Sequence, residues 1–358
     1  MLRRSPAPLL SWFAVNRREM EWRSNPLPYF VWVSEIMLQQ TRVEAVRPYF
    51  HRFVTELPDI ASLAACPEDR LLKLWEGLGY YSRVRNMQKA AKVLVEEYGG
   101  LLPANAEKLR LLPGIGDYTS GAIASIAFGL PEPAVDGNVL RVLSRVTGSR
   151  RCIDEPDVKE EFRIMVRGLL EEGESFHPGD LNQALMEAGA LVCLPNGKAR
   201  CGICPLKDLC RAREQGCTDE IPVRKEKKAR RIEEMTVLVI RDATRTLLRR
   251  RPEKGLLAGL WEFPNAPGHL SPDEALAMSR KLGLSPVRIR PLPDAKHIFT
   301  HVEWHMTGYL VLTEEIGECG PDFAAAESPE TERDYPIPAA FAAYTDYMDI
   351  RTGRDLIR

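Results

Sequence analysis

Leu112-Pro113-Gly114-Ile115-Gly116 runs directly into Asp117-Tyr118-Thr119, the start of a small-residue-rich stretch that reaches Phe128. Glycines permit a tight turn, and a helix opening beside it aims backbone N–H groups at an anion such as a phosphate oxygen. Taken alone, Gly-x-Gly fits an ordinary interhelical turn as well as a binding hairpin. Downstream comes Val135-Asp136-Gly137-Asn138-Val139. Val139, Val142, Leu143 and Val146 then recur at i, i+3, i+4 and i+7, so Asp136 stands at the mouth of an amphipathic helix. Helix capping is a sufficient reason for a lone aspartate there. A carboxylate beside the hairpin, facing a developing positive charge, is the functional alternative.

Outward from the hairpin, residues 9 to about 217 read as short helices punctuated by glycine and proline. Ile36, Val43, Val46, Phe50 and Phe53 fall on one helical stripe; Leu71, Leu72 and Trp75 form another; Ala90, Val93 and Leu94 precede Gly99-Gly100. Strand-like alternation is scarce, so this half is expected to be all-α. Arg224 to Arg231 holds six basic residues and one acid without an apolar face, and reads as an exposed linker. Beyond it, Met235 to Ile240 and Thr246 to Leu248 look like strands flanking a polar turn. Trp304 to Leu312 is a further strand candidate and 272–282 a helix, giving an α+β second half.

A chain of 358 residues is long enough for two compact units. Lys and Arg total 49 against 50 acidic residues, so a nucleic-acid role would require positive charge concentrated on one face. No run of 18 apolar residues exists, and Met1-Leu2-Arg3-Arg4 lacks a signal peptide's apolar core. The expectation is a soluble, cytoplasmic protein.

Cys193, Cys201, Cys204 and Cys210 are spaced Cys-x7-Cys-x2-Cys-x5-Cys, after the helix-like Leu181 to Leu191. Four thiolates in one loop hold either Zn²⁺ or a [4Fe–4S] cube. Zinc loops usually pair two Cys-x2-Cys units across a dozen or more residues, so these short unequal gaps suit the cubane better. All four positions being thiolate, none is left for substrate, and the site reads as a folding device.

Hairpin, aspartate and cysteine loop together resemble the helix–hairpin–helix DNA glycosylase superfamily, which includes endonuclease III. Within it the chain is similar to the MutY-type adenine DNA glycosylases. Further matching motifs are Val33-Ser34-Glu35-Ile36-Met37-Leu38-Gln39-Gln40-Thr41-Arg42-Val43 and Trp75-Glu76-Gly77-Leu78-Gly79-Tyr80-Tyr81-Ser82-Arg83. Asn182-Gln183-Ala184-Leu185-Met186-Glu187-Ala188-Gly189-Ala190 completes a set spanning roughly residues 20–210 in family order. The resemblance implies an all-α helix–hairpin–helix domain over 1–217 with a [4Fe–4S] loop at 193–210, and a basic linker at 218–231. A Nudix-like, α+β 8-oxoguanine-recognition domain would occupy 232–358. It also implies a monofunctional base-excision-repair enzyme, a bacterial monomer that hydrolyses the N-glycosidic bond of adenine mispaired with 8-oxoguanine or guanine in duplex DNA.

Roles carry over residue by residue. Glu35 corresponds to the acid that protonates adenine N7, and a burial-raised pKa would let a carboxyl do so. Without the motif, Glu35 would pass for a first-turn glutamate favoured by the helix dipole. Asp136 corresponds to the ionised partner of an oxocarbenium-like sugar, the logic of retaining glycosidases. Tyr118 stands where endonuclease III relatives carry a Schiff-base lysine, and a phenol forms no imine. Trp22, Arg23 and Gln183 match the pocket for the flipped adenine, while Gln40 and Tyr80 match residues that probe the 8-oxoguanine side and refill the stack. Wedges of this kind offset an extrusion cost of a few kcal/mol. Gly114 and Gly116 would hold DNA phosphate.

The chain also departs from the pattern. The first cysteine gap is seven residues where the family usually has six, an excess that Asn196-Gly197 could absorb in a turn. Met20-Glu21-Trp22-Arg23 replaces the usual Leu-Pro-Trp-Arg. Gly259-Leu260-Trp261-Glu262-Phe263-Pro264 resembles a Nudix lead-in, and Gly268 and Glu274 keep Gly-x5-Glu, but the Arg-Glu-x-x-Glu-Glu carboxylates are missing. That domain is expected to recognise rather than hydrolyse. Phe299-Thr300-His301 carries threonine for the family's serine in a loop that would contact 8-oxoguanine, although Thr300 also suits a plain hairpin turn. His297, His301 and His305 lie in a strand-like region and are not expected to bind metal. The alternatives are an endonuclease III-like glycosylase with lyase activity, a noncatalytic iron–sulfur DNA-binding protein and a Nudix hydrolase with a DNA module. Tyr118, the Glu35/Asp136 pair and the missing carboxylates argue against them in that order.

Overall fold

In the computed structural model, residues 4–171, 176–195, 198–226 and 228–348 are described. The turn expected at Asn196-Gly197 lies outside them. Two compact units form: Met1–Ala65 with Asn86–Glu226, and Cys66–Arg85 with Lys227–Arg358. The helices before the sheet are α1 Pro6–Asn16, α2 Glu21–Ser24, α3 Pro28–Leu38, α4 Val43–Glu56, α5 Ile60–Ala65, α6 Glu68–Leu74 and α7 Ser82–Tyr98. They continue with α8 Ala106–Arg110, α9 Asp117–Phe128, α10 Gly137–Thr147, α11 Pro156–Glu171, α12 Pro178–Leu191 and α13 Arg211–Glu214. Among the described residues no helix is long and apolar enough to cross a membrane.

The first unit is helical, as the periodicity predicts. Its core gathers Val139, Val142, Leu143 and Val146 of α10 with Phe162 and Val166 of α11 and Leu181, Ala184 and Leu185 of α12. The stripe from Ile36 to Phe53 is not one helix. It breaks over 39–42, where Gln40 adopts φ 61°, a left-handed conformation that ends α3 before α4 starts. The hairpin forms between α8 and α9. Leu109, Leu112 and Ile115 are buried beneath it, and Gly114 takes φ 78°, with an added Cβ falling 2.8 Å from Asn86 Cβ. Gly116, by contrast, is extended and caps α9.

Two close approaches place the end of the 129–136 segment. A Cβ on Gly189 of α12 would lie 2.5 Å from Asn138 Cβ, so only glycine lets α12 pack on the first turn of α10. Asn182 is fully buried; its amide donates to Ser125 Oγ (2.8 Å) and Glu132 O (2.9 Å), and its Oδ1 accepts from Ala134 N (3.1 Å).

The second unit is built on β1 Arg231–Arg241, β2 Arg245–Arg250, β3 Trp261–Glu262, β4 Asn265–Pro267, β5 Pro286–Ile298, β6 Val302–Thr313 and β7 Phe323–Glu327. Helix α14 (Pro272–Lys281) lies between β4 and β5. The sheet order is β3-β2-β1-β6-β5, with β4 on β1 and β7 on β2. Central β1 runs parallel to β6, from Arg231 opposite Val302 to Arg241 opposite Leu312. Its alternate residues feed both faces: Val237 and Val239 enter the core with Trp304 and Phe341, whereas Leu238 and Ile240 enter the one with Ala275 and Val311. Glu274 is spent on a capping box, its carboxylate accepting from Ser271 N and Oγ (both 2.8 Å). The Gly-x5-Glu spacing is thus a helix start.

Two boundaries differ from the sequence reading. Residues 66–85, expected in the helical domain, belong with the sheet. Lys73 pairs with Glu76 (3.0 Å) and donates to Tyr335 O (3.1 Å), and Glu76 accepts from Ile337 N (2.7 Å). Residues 218–226, expected in the linker, belong with the helices: Ile153 N donates to Val223 O (3.0 Å), Lys225 N to Asp154 Oδ2 (2.9 Å), and Lys225 Nζ meets Glu155 (3.1 Å). Hydrogen bonds between residues so distant in sequence leave no periodic signal.

Gly189→Ala is expected to lower folding stability by about 1–3 kcal/mol, the usual cost of overpacking. A denaturation midpoint equal to wild type would show that α12 and α10 do not need this contact.

Candidate active site

One cleft of about 1180 Å³ opens in the helical unit. Its walls include Trp22, Arg23, Glu35, Gln40, Gly114, Gly116, Tyr118, Asp136 and Gln183. These are the catalytic, adenine-side and phosphate candidates of this unit together with Gln40, a candidate for the 8-oxoguanine side, and the fold brings all of them to a single space.

Glu35 is the eighth residue of α3, which begins at Pro28, so the first-turn explanation for it fails. Nearly all of α3 from Tyr29 to Met37 is buried, and Glu35 itself is 7% exposed. Desolvation pushes its carboxyl from the usual value up to about 7, and the nearby Asp136 charge adds to this. The hydroxyl of Tyr118, which donates to Glu35 Oε2, and the Arg23 guanidinium pull the other way. Tyr118 is raised well above a free phenol, chiefly by burial and then by the Glu35 charge.

Asp136 is the N-cap of α10, as the bland reading has it. Oδ1 accepts from Asn138 N (2.9 Å) and Val139 N (2.8 Å), and Oδ2 accepts from the Asn138 amide (2.7 Å). Burial raises this carboxyl too, and it stays above the ordinary aspartate range although the Val139 and Asn138 donors and the Arg141 charge oppose the shift. Capping and site geometry coincide: the side chain that starts the helix also lines the cleft.

Arg23 donates to Gln183 Oε1 (2.9 Å) and Glu187 Oε2 (2.9 Å), and Arg18 grips Glu187 through Nε (2.8 Å) and NH2 (3.0 Å). Burial would raise the Glu187 carboxyl, yet these hydrogen bonds bring it down to about 2. Trp22 is also a core residue, edge-on to Phe50 at 4.9 Å. The sequence reading missed Arg18, Glu187 and Asn138 as cleft residues. Glu187 follows Gln183 by one helical turn, a spacing that could have flagged it; Arg18 has no such signal.

Cys193, Cys201, Cys204 and Cys210 line one small apolar cavity with Val142, Val146, Val192 and Leu206. Among the described residues, no three His, Cys, Asp or Glu side chains converge closely enough to hold a metal ion. Thiols spread around a shared apolar space fit a cubane, in which each sulfur takes its own iron, better than one zinc ion. Burial and then the neighbouring thiols raise Cys204 to about 11, so a thiolate at that position requires a compensating cation. Arg145 NH1 donates to Cys193 Sγ (3.2 Å). Arg141 links Cys193 O (2.7 Å) to Asn138 Oδ1 (2.8 Å), and Asn138 in turn holds Asp136.

The remaining candidates lie in the sheet unit. Phe299, Thr300 and His301 form the turn between β5 and β6, as the plain hairpin reading allows. Phe299 is edge-on to Trp304 at 4.8 Å and to His297 at 4.5 Å. Thr300 Oγ1 is 3.0 Å from the hydroxyl of Tyr80, which is 47% exposed, so core packing does not explain that ring. His305 pairs with Glu303 (2.8 Å).

Comparison with known proteins gives one family match in each half of the chain, the first running through residues 66–85 as well. Residues 33–167 match the HhH-GPD superfamily of base excision DNA repair proteins, and residues 236–347 match the NUDIX domain. The mouse adenine DNA glycosylase is 35% identical over 353 residues, 82% of this chain and 68% of the relative. That of Buchnera aphidicola subsp. Baizongia pistaciae is 32% identical over 315 residues, 86% of each chain. Among solved structures, a thermostable thymine-DNA glycosylase superimposes with TM-score 0.52 at 25% identity, covering 58% of this chain and 94% of that one. A trapped endonuclease III–DNA covalent intermediate gives 0.50 at 25%, covering 60% and 96%. The chain is a DNA glycosylase of the helix–hairpin–helix base excision repair superfamily and belongs to its adenine DNA glycosylase family.

Proposed function

We propose that this enzyme excises adenine opposite 8-oxoguanine in duplex DNA and stops at the abasic site. One observation carries the reading: Glu35 and Asp136 line the same cleft in opposed surroundings, the first nearly donor-free and raised to about 7, the second held by three N–H groups. The relatives' names support adenine as the leaving base. Glu35 delivers the proton adenine needs to depart, and Asp136 faces the sugar as it becomes an oxocarbenium ion. Arg23, Gln183 and Trp22 surround the flipped base, and Gln40 sits at the cleft wall with its backbone in a left-handed turn. Gly114 and Gly116 take backbone phosphate at the start of α9. In the sheet unit Tyr80, Phe299, Thr300 and His301 contact 8-oxoguanine. The four cysteines hold a [4Fe–4S] cluster that fixes the loop, and the enzyme works as a monomer on the A:8-oxoG or A:G duplex.

The test is single-turnover release of adenine. Glu35→Gln and Asp136→Asn are expected to bind the lesion duplex and lose about 10²–10⁴-fold or more in rate; wild-type release by Asp136→Asn would refute the mechanism. No borohydride-trappable imine is expected, because Tyr118 carries no amine.

Because Glu35 acts in its protonated form, the rate is expected to fall as pH rises through about 7. The Tyr118 hydroxyl holds that pKa down, so Tyr118→Phe is expected to move the alkaline limb to higher pH. A limb that stays put, or moves down, would exclude a Glu35–Tyr118 partnership.

Purified protein is expected to carry about four irons per chain with thiolate charge-transfer absorption. One zinc and no iron would overturn the cluster assignment.

A further inference from the structure

We propose that Arg83 is a positioning residue that fixes the ring of Tyr80 for lesion reading; the inference rests on the assignment of Tyr80 and Thr300 to 8-oxoguanine given above. Helix α6 ends at Leu74 and α7 begins at Ser82. Between them the turn takes left-handed backbone at Gly77 (φ 95°), Gly79 (φ 68°) and Tyr80 (φ 47°). Two of these are glycine and cost nothing; Tyr80 has a Cβ and is strained there. Surrounding groups must over-determine such a residue for it to persist.

Arg83 supplies that constraint from the first turn of α7. One guanidinium nitrogen donates to both Leu78 O and Gly79 O, each at 3.1 Å. Gly79 O also accepts from the indole N–H of Trp75 at 3.0 Å. The guanidinium carbon lies 5.3 Å from the Trp75 ring centroid and 5.6 Å from that of Tyr80, inside cation–π range of both. Trp75 is fully buried, so the arginine rests on a fixed base. From there it holds the carbonyls that set the turn and supports the ring whose hydroxyl meets Thr300. Burial pulls Arg83 down to about 10, which leaves it cationic at neutral pH. A lysine could keep the charge but not the planar fork and stack.

The test uses full-length Arg83→Lys, Arg83→Gln, Tyr80→Ala and the Arg83→Gln/Tyr80→Ala double variant. Affinity is measured for duplexes carrying a non-hydrolysable adenosine analogue opposite 8-oxoguanine or guanine, beside thermal melts. Both Arg83 variants are expected to weaken 8-oxoguanine binding about tenfold and to lose most of the preference over guanine. The double variant is expected to fall no further than Tyr80→Ala, the non-additivity of two residues acting as one unit. Additive losses, an equal loss for both partner bases, or failure of both Arg83 variants to fold would overturn the proposal. If Tyr80→Ala alone left the preference intact, the reading of Tyr80 on which it rests would fall with it.

Discussion

Two carboxyl groups beside one buried cleft cannot both ionise freely, and the helical unit resolves this by giving them unequal hydrogen bonds. Asp136 collects two backbone N–H groups and an amide at the positive end of α10. Glu35, inside a helix whose own N–H groups are engaged, has the Tyr118 hydroxyl. Burial raises both carboxyls, but only Asp136 has three N–H donors and the Arg141 charge to oppose it; the proposed mechanism therefore puts the charge on the aspartate and the proton on the glutamate, whose carboxyl an Asp136 charge raises further. The proposed division of labour rests on where each sits on its helix.

Much of the surrounding structure serves to keep Asp136 where it is. Asn182 holds the segment that leads into it, Gly189 lets α12 reach the first turn of α10, and Arg141 joins Asn138 to the Cys193 carbonyl. The cysteine loop is thus attached to the carboxylate through two side chains on one helix.

Several helices, the hairpin and strands β1, β2 and β6 were legible because each leaves a local pattern: i, i+3, i+4 runs, Gly-x-Gly, a β-branched or alternating run; β5 was not, since Pro286, Pro291 and Pro293 interrupt it. The chemistry-bearing residues were legible through motifs, since Glu35 and Asp136 as isolated residues read equally well as helix-end acids. For Asp136 that plainer reading is also true. What stayed hidden was long-range. The break at Gln40 depends on one backbone angle, the Arg18–Glu187 pair joins residues far apart in sequence, and residues 66–85 join the sheet through Lys73 and Glu76. Buried ion pairs and carbonyl contacts have no periodicity to detect. The Gly268/Glu274 spacing, which falls inside the NUDIX match, is used for a helix capping box.

The central claim is that burial keeps Glu35 protonated near neutral pH while Asp136 is charged. Infrared difference spectra of wild type against Glu35→Gln, recorded across pH in the free enzyme, read this directly. A protonated-carboxyl band that is absent in the variant and disappears with a midpoint near 7 is the expected result. A Glu35 carboxyl already ionised at the pH of an ordinary surface glutamate, about 4.3, would contradict it.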